Sequence, residues 1–107
     1  MFDWSQYRTE LTERIGDLGK LSPDTVGGYM LASGAGKKTD KLDEKTRQLI
    51  SLAVAVTTRC DGCIALHSLA AVKCGATQEE ISEAFGVAVA MNAGAALVYS
   101  ARALDTV

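Results

Sequence analysis

The sequence predicts an all-α fold of five or six short helices in a single domain, 1–107. Apolar residues recur at three- and four-residue spacing along most of the chain. The one proline, Pro23, follows Ser22, as it does where a helix begins. No segment alternates apolar and polar residues between turn pairs, so strands are not expected. A chain of 107 residues suits one domain.

Capping residues and apolar spacing set the expected helix bounds. Asp43 is expected to cap the third helix. Thr77 and Glu80 form a capping box that opens the fifth helix, and Gly75 is the expected left-handed cap of the fourth. Asn92 and Gly94 are expected to separate the fifth helix from the last. The predicted helices are 4–18, 22–33, 43–58, 60–74, 78–90 and one that ends near 104.

The charge pattern excludes two classes of partner. The net charge is −2 with both signs mixed along the chain, whereas nucleic acid and anionic membranes select a concentrated basic face. The N-terminus lacks the basic start and apolar run of a signal peptide. The uninterrupted apolar run Leu52–Val56 is far too short to span a bilayer. We therefore expect a soluble, cytoplasmic protein without a nucleic-acid or membrane partner.

Two features favour a homo-oligomer. The later half of the third helix, LISLAVAV, is apolar on nearly every side, so it must be buried within the fold or between subunits. Small residues that let helices approach closely crowd the C-terminal half of the chain. A tight monomeric bundle is the alternative interpretation of both features.

The residues that carry chemistry are Cys60, Cys63 and His67, at i, i+3 and i+7 of one helix. This spacing places them on one stripe, with the cysteine Cα atoms about 5–6 Å apart, within disulfide range. A helix start favours the thiolate, and a histidine one turn further on accepts the thiol proton. A second thiol captures a sulfenic acid and closes a disulfide. The pattern indicates a redox-active dithiol.

Metal and haem sites fit the sequence poorly. The third cysteine, Cys74, lies eleven residues beyond Cys63, about 16 Å along one helix, and cannot complete a zinc site. Haem attachment needs a histidine directly after the second cysteine, where Ile64 stands. We expect no metal and no cofactor. The alternative is that two small cysteines and a core histidine align without any chemical role.

The segment 42–104 resembles the carboxymuconolactone decarboxylase and alkylhydroperoxidase D-like family. The matching stretches are LDEKTRQLISLAVAV, CDGCIALH and AAVKCGATQEEISEAFGVA. The resemblance implies an all-helical bundle and a homohexamer built as a trimer of dimers. It also implies peroxidase activity, in which Cys63 attacks the peroxide, Cys60 resolves it and His67 transfers protons. A dithiol donor, such as a lipoyl or thioredoxin-like protein, reduces the resulting disulfide.

The chain departs from the peroxidase pattern at two positions. Gln48 stands twelve residues before the first cysteine, where such members usually carry a proton-relaying glutamate. An amide does not accept a proton near neutral pH. Glu44, one helical turn earlier on the same face, is a partial substitute. Gly62 occupies the position before the second cysteine, where a histidine stands in some members.

Four functions therefore remain open. The leading one is a thiol-dependent peroxidase. A dithiol-disulfide oxidoreductase or redox sensor with little peroxidase activity is the second. The others are a lactone decarboxylase that does not use thiols and a non-catalytic assembly protein.

Overall fold

The computed structural model describes residues 2–107, and it contains helices but no strand within that range. The predicted all-α class is confirmed. The six α-helices are α1 (Trp4–Leu21), α2 (Pro23–Ser33), α3 (Ala35–Thr39), α4 (Glu44–Thr58), α5 (Asp61–Lys73) and α6 (Gln78–Ala103), and a 3₁₀ turn (Leu104–Thr106) follows.

The predicted caps are present in the structure. The Asp43 carboxylate accepts a hydrogen bond from the Thr46 amide at 2.8 Å and opens α4. The Thr77 hydroxyl and the Glu80 carboxylate exchange hydrogen bonds with each other's amides at 3.1 and 3.0 Å. Gly75 has φ +87° after α5, a conformation that glycine adopts without a steric penalty.

Two predicted bounds are wrong. Helix α6 continues through Asn92 and Gly94 without the expected break. The Asn92 side chain donates to the Ala88 carbonyl within the same helix at 2.8 Å, and one glycine costs only about 1 kcal/mol in a helix interior. The segment expected as a loop after α2 forms the short helix α3, which ends at Asp40 in the left-handed conformation (φ 49°).

Helix α4 is the centre of the fold, packed against α5 on one side and α6 on the other. The most deeply buried residues are Leu52 and Ala55 of α4 and Ala65 and Ala71 of α5. Small side chains on facing helices let their backbones approach closely. Helix α1 covers α5, where the Arg8 guanidinium donates to the Ala65 carbonyl at 2.8 Å.

The single chain is extended and leaves much apolar surface uncovered. Its radius of gyration is 17.0 Å, against about 13 Å for a compact domain of this length. Ile50 and Val54 of α4 are about half exposed, and Met91 and Val98 of α6 are more than two-thirds exposed. The apolar half of α4 is therefore not enclosed by this chain alone.

The segment Gln78–Thr106 is long and apolar enough, by length and composition, to cross a membrane. Only 6% of its most apolar window is buried in the chain. Glycine, asparagine and serine interrupt the apolar residues of α6, so the length of uninterrupted apolar runs does not reveal this helix. Length and composition do not identify what covers α6.

Candidate functional site

The site is built on the hairpin of α4 and α5. Only Arg59 and Cys60 separate the two helices, and Arg59 has a left-handed backbone (φ 55°). The Cys60 amide donates to the Ala55 carbonyl at 3.1 Å, which closes the turn. A two-residue connection forces the helices to lie side by side, so residues of α4 face residues of α5.

Cys60 and Cys63 lie at the start of α5 and are joined as a disulfide, with their Cα atoms 5.3 Å apart. This separation agrees with the distance expected from the spacing. Cys60 is the N-cap residue, and its Sγ accepts a hydrogen bond from the Cys63 amide at 3.2 Å. Both cysteines are half-buried. The positive end of the helix therefore faces the sulfur pair.

His67 lies one turn after Cys63 on the same face of α5 and contacts α4 through Gln48. His67 Nδ1 and Gln48 Oε1 are 2.7 Å apart. Gln48 Nε2 donates to Glu44 Oε1 at 2.9 Å. The three side chains form a hydrogen-bonded row, Glu44–Gln48–His67, in which the amide lies between the carboxylate and the imidazole.

The row determines which imidazole nitrogen carries the proton. An ionised carboxylate only accepts hydrogen bonds, so Gln48 must direct its NH₂ group to Glu44 and its carbonyl oxygen to His67. A carbonyl oxygen also only accepts, so His67 Nδ1 must be the donor. The neutral imidazole then keeps its lone pair on Nε2, which is free to take a proton.

Arg47 holds Glu44 in place. Its Nη2 and Nε lie 2.6 and 3.2 Å from Glu44 Oε2, and its Nη1 contacts the Leu42 carbonyl. The hydrogen bond from Gln48 and the pair with Arg47 lower the pKa of the Glu44 carboxyl below 4.5. Glu44 is therefore ionised at neutral pH, as the tautomer argument requires. Gly36 of α3 permits this arrangement, since a Cβ there would lie 2.5 Å from Arg47 Cδ.

Cys74 and the aromatic residues of α1 lie apart from this row. Cys74 is the half-buried C-cap of α5 and has a free thiol. Trp4 and Tyr7 pack edge to face at 6.3 Å. A Cβ on Gly62 would lie 2.8 Å from a Leu11 methyl and 3.7 Å from the Tyr7 hydroxyl. A larger residue at that position would therefore require the Leu11 side chain to shift.

A cavity of about 650 Å³ opens beside the row, between α2, α3 and α4. His67, Gln48 and Glu44 line it, whereas Cys60 and Cys63 do not. His67 thus lies between the sulfur pair and the cavity. Sequence reasoning missed Arg47 and Lys37, which also line it. Glu44 and Arg47 are three residues apart on one helix, and this spacing could have indicated from the sequence that Arg47 pairs with Glu44.

Comparison with known proteins identifies the family. The model of the carboxymuconolactone decarboxylase family matches residues 23–106. The chain belongs to this family. The match covers most of the chain, including the whole of the α4–α5 hairpin.

The chain is similar to proteins from several bacteria. An uncharacterized protein from Haemophilus influenzae is 46% identical over 103 residues, which are 96% of this chain and 91% of the relative. An uncharacterized protein from Cupriavidus necator is 28% identical over 96 residues, 90% of this chain and 85% of the relative. The apo crystal structure of a carboxymuconolactone decarboxylase family protein from Legionella pneumophila superposes with a TM-score of 0.77. It is 38% identical, and the match covers 95% of this chain and 91% of that one.

The tautomer of His67 is the first testable consequence. In ¹⁵N NMR spectra of the neutral imidazole, we expect Nδ1 to be protonated and Nε2 to be unprotonated. Glu44→Gln removes the group that orients Gln48 and should yield a mixture of tautomers. The lowered pKa of the wild-type Glu44 carboxyl keeps it ionised at neutral pH, so it accepts the hydrogen bond from Gln48.

Glu80→Gln is the matched control for this measurement. Glu80 is a half-buried carboxylate that pairs with Lys45 at 2.7 Å, away from His67. Its replacement should leave the tautomer unchanged. A predominantly Nε2-protonated imidazole in the wild type would contradict the proposed orientation of Gln48.

Proposed function

We propose that the protein is a thiol-dependent peroxidase that reduces hydroperoxides with Cys63, Cys60 and His67. The observation that carries the proposal is the cysteine pair at disulfide distance, at a helix start, one turn from a histidine whose free nitrogen is Nε2. Membership of a family that includes peroxidase-like members supports it. Nucleophilic cysteine chemistry needs a stabilised thiolate and an adjacent base.

The first half-reaction consumes the peroxide. His67 Nε2 takes the Cys63 proton, and the thiolate attacks the terminal oxygen of the hydroperoxide. The O–O bond breaks, the alcohol leaves with the proton returned by His67, and Cys63 becomes a sulfenic acid. Cys63 is oxidised by two electrons and the peroxide is reduced by the same two.

The second half-reaction restores the dithiol. The Cys60 thiol attacks the sulfenic sulfur, water leaves, and the Cys60–Cys63 disulfide forms. An external dithiol, of the lipoyl or thioredoxin class, then reduces this disulfide by thiol–disulfide exchange. The N-cap position of Cys60 suits this exchange, because the Cys63 amide and the helix dipole stabilise the departing Cys60 thiolate.

Gln48 favours a second candidate, a dithiol-disulfide oxidoreductase or redox sensor with little peroxidase activity. An amide orients His67 but does not share the positive charge of its protonated form. The nearest carboxylate, Glu44, already accepts from Gln48 and Arg47. The site therefore assists proton transfer from His67 to the leaving alcohol less than it assists thiol–disulfide exchange.

A homo-oligomer is part of the proposal. A second copy of the chain is the partner that best suits the exposed apolar faces of α4 and α6. The N-terminal half of α6 packs on α4, with Ala88 only 6% exposed, and α4 also carries Glu44, Arg47 and Gln48. A bilayer around α6 would bring these polar groups towards hydrocarbon, which is unfavourable. A closed assembly buries the same apolar surface without that penalty.

The oligomer is tested at Met91 of α6. Met91→Glu places a charge on the exposed apolar face and should shift the sedimentation mass towards a single chain. Lys20→Glu, an exposed charge change on α1, should not. Wild-type protein that sediments as a single chain in detergent-free buffer would contradict the assembly. So would wild-type protein that stays in solution only when detergent is present.

The cysteine roles are tested by peroxide consumption with a dithiol donor. Cys63→Ser should lose at least about a hundredfold in rate, within the range that removal of a nucleophile produces. Cys60→Ser should consume one peroxide per chain and then stop as a sulfenic acid. Cys74→Ser is the matched control, since Cys74 lies outside the pair, and should retain the wild-type rate. Equal rates for wild type and Cys63→Ser would refute the proposal.

The role of the amide is tested by exchanging two residues. Gln48→Glu alone would place two carboxylates within about 3 Å of each other on one helix, where one of them tends to stay protonated. The double variant Glu44→Gln/Gln48→Glu keeps one carboxylate and moves it next to His67. We expect the double variant to exceed the wild-type peroxidase rate by about tenfold or more, because a carboxylate stabilises the imidazolium.

Glu44→Gln alone is the control for this exchange, because it leaves no carboxylate in the row and should give no gain. If the double variant is no faster than the wild type, a missing carboxylate does not limit turnover. Under the second candidate function, the double variant should gain rate only in peroxide reduction. Its rate of thiol–disulfide exchange should stay close to that of the wild type.

A further inference from the structure

The cavity beside His67 has a chemical character that the proposed reaction does not use. It combines an apolar wall, formed by Tyr29 and Met30 of α2, with hydroxyl groups and charged side chains from α3 and α4. Tyr29 and Met30 are each more than half exposed. Its volume, about 650 Å³, falls in the range of small-molecule sites. A ligand there would have one apolar and one polar end.

Among the charged residues that line the cavity, one has no salt-bridge partner in the part of the chain that the structure describes. Glu44, Arg47 and Lys37 are the charged residues of the lining. Arg47 and Glu44 neutralise each other through two hydrogen bonds, and the exposed Asp40 adds a longer pair to Arg47 at 3.5 Å. Lys37 has no salt-bridge partner among residues 2–107. One unpaired ammonium therefore remains at the cavity.

The segment around Lys37 is rich in basic residues. Segment 34–47 carries five Lys and Arg residues against three Asp and Glu residues, although Lys45 is paired with Glu80 outside the segment. The net charge of the whole chain is −2. The positive charge of Lys37 also reaches Glu44, where it contributes to the lowered pKa. Anionic ligands are attracted to such a concavity, while the rest of the surface repels them weakly.

We propose that this cavity binds an amphipathic carboxylate, so that the substrate is an organic hydroperoxide that carries a carboxylate group. Lys37 pairs with the carboxylate, Tyr29 and Met30 contact the apolar part, and the hydroperoxide end lies toward His67. The inference rests on the proposed peroxidase function for its reaction, but the binding site stands on the cavity itself. Lys37 is a specificity residue and takes no part in the redox step.

The binding test uses non-reacting probes. 4-Phenylbutyrate and its neutral amide have the same shape and differ in charge, and their affinities are measured by calorimetry. We expect the wild type to bind the carboxylate about two- to fivefold more tightly than the amide, as for a solvent-exposed ion pair. Lys37→Gln should remove the preference, Lys37→Arg should keep it, and the preference should weaken with salt.

Lys38→Gln is the matched control. Lys38 is the adjacent residue of α3 and does not line the cavity. It carries the same charge, so it tests whether the preference arises at Lys37 or from the basic segment as a whole. Equal affinities for the two probes in the wild type would overturn the inference. So would a preference that Lys37→Gln leaves intact or that Lys38→Gln abolishes equally.

Turnover separates this inference from the proposed function. With an aryl hydroperoxide that carries a carboxylate, Lys37→Gln should raise KM and leave kcat unchanged, and with the methyl ester it should change neither. If no hydroperoxide is consumed but the carboxylate preference persists, the peroxidase proposal fails and the binding site stands. If both esters and acids are consumed equally well and no preference is found, the binding site fails and the peroxidase proposal stands.

Discussion

The hydrogen bond between Gln48 and His67 is the contact on which the site depends. It joins α4 to α5, orients the imidazole and determines that Nδ1 carries the proton. The bond exists because the two-residue connection at Arg59 and Cys60 brings the helices side by side. That same connection makes Cys60 the N-cap of α5. One tight turn thus positions the sulfur pair and the imidazole together.

The sequence predicted those features that depend on neighbours along the chain. Capping at Asp43 and Thr77 and the spacing of Cys60, Cys63 and His67 are local, because helix geometry converts spacing into position. The Gln48–His67 contact connects residues nineteen apart, and only the family resemblance indicated that the two positions act together. Periodicity within either helix does not determine which face of α4 meets α5.

Other features were not predictable because they depend on packing between distant segments. The cavity needs α2 and α3 to lie across α4, and its unpaired cation at Lys37 is recognised only once the partners of Arg47 are known. The continuity of α6 through Gly94 was missed for a different reason. A glycine lowers helix stability by about 1 kcal/mol, and the alanine-rich flanks of this helix tolerate that. Breaker residues predict an interruption only when the surrounding sequence is itself a weak helix former.

The negative charge of the row does not lie beside His67, because Gln48 occupies the position that contacts the imidazole. The carboxylate stands one turn away, at Glu44, where Arg47 holds it and lowers its tendency to take up a proton. The imidazole therefore keeps its orientation but lacks an anion against it when it becomes positively charged. Such a site favours steps that need an oriented neutral base, such as thiol deprotonation, over steps that need a stabilised imidazolium.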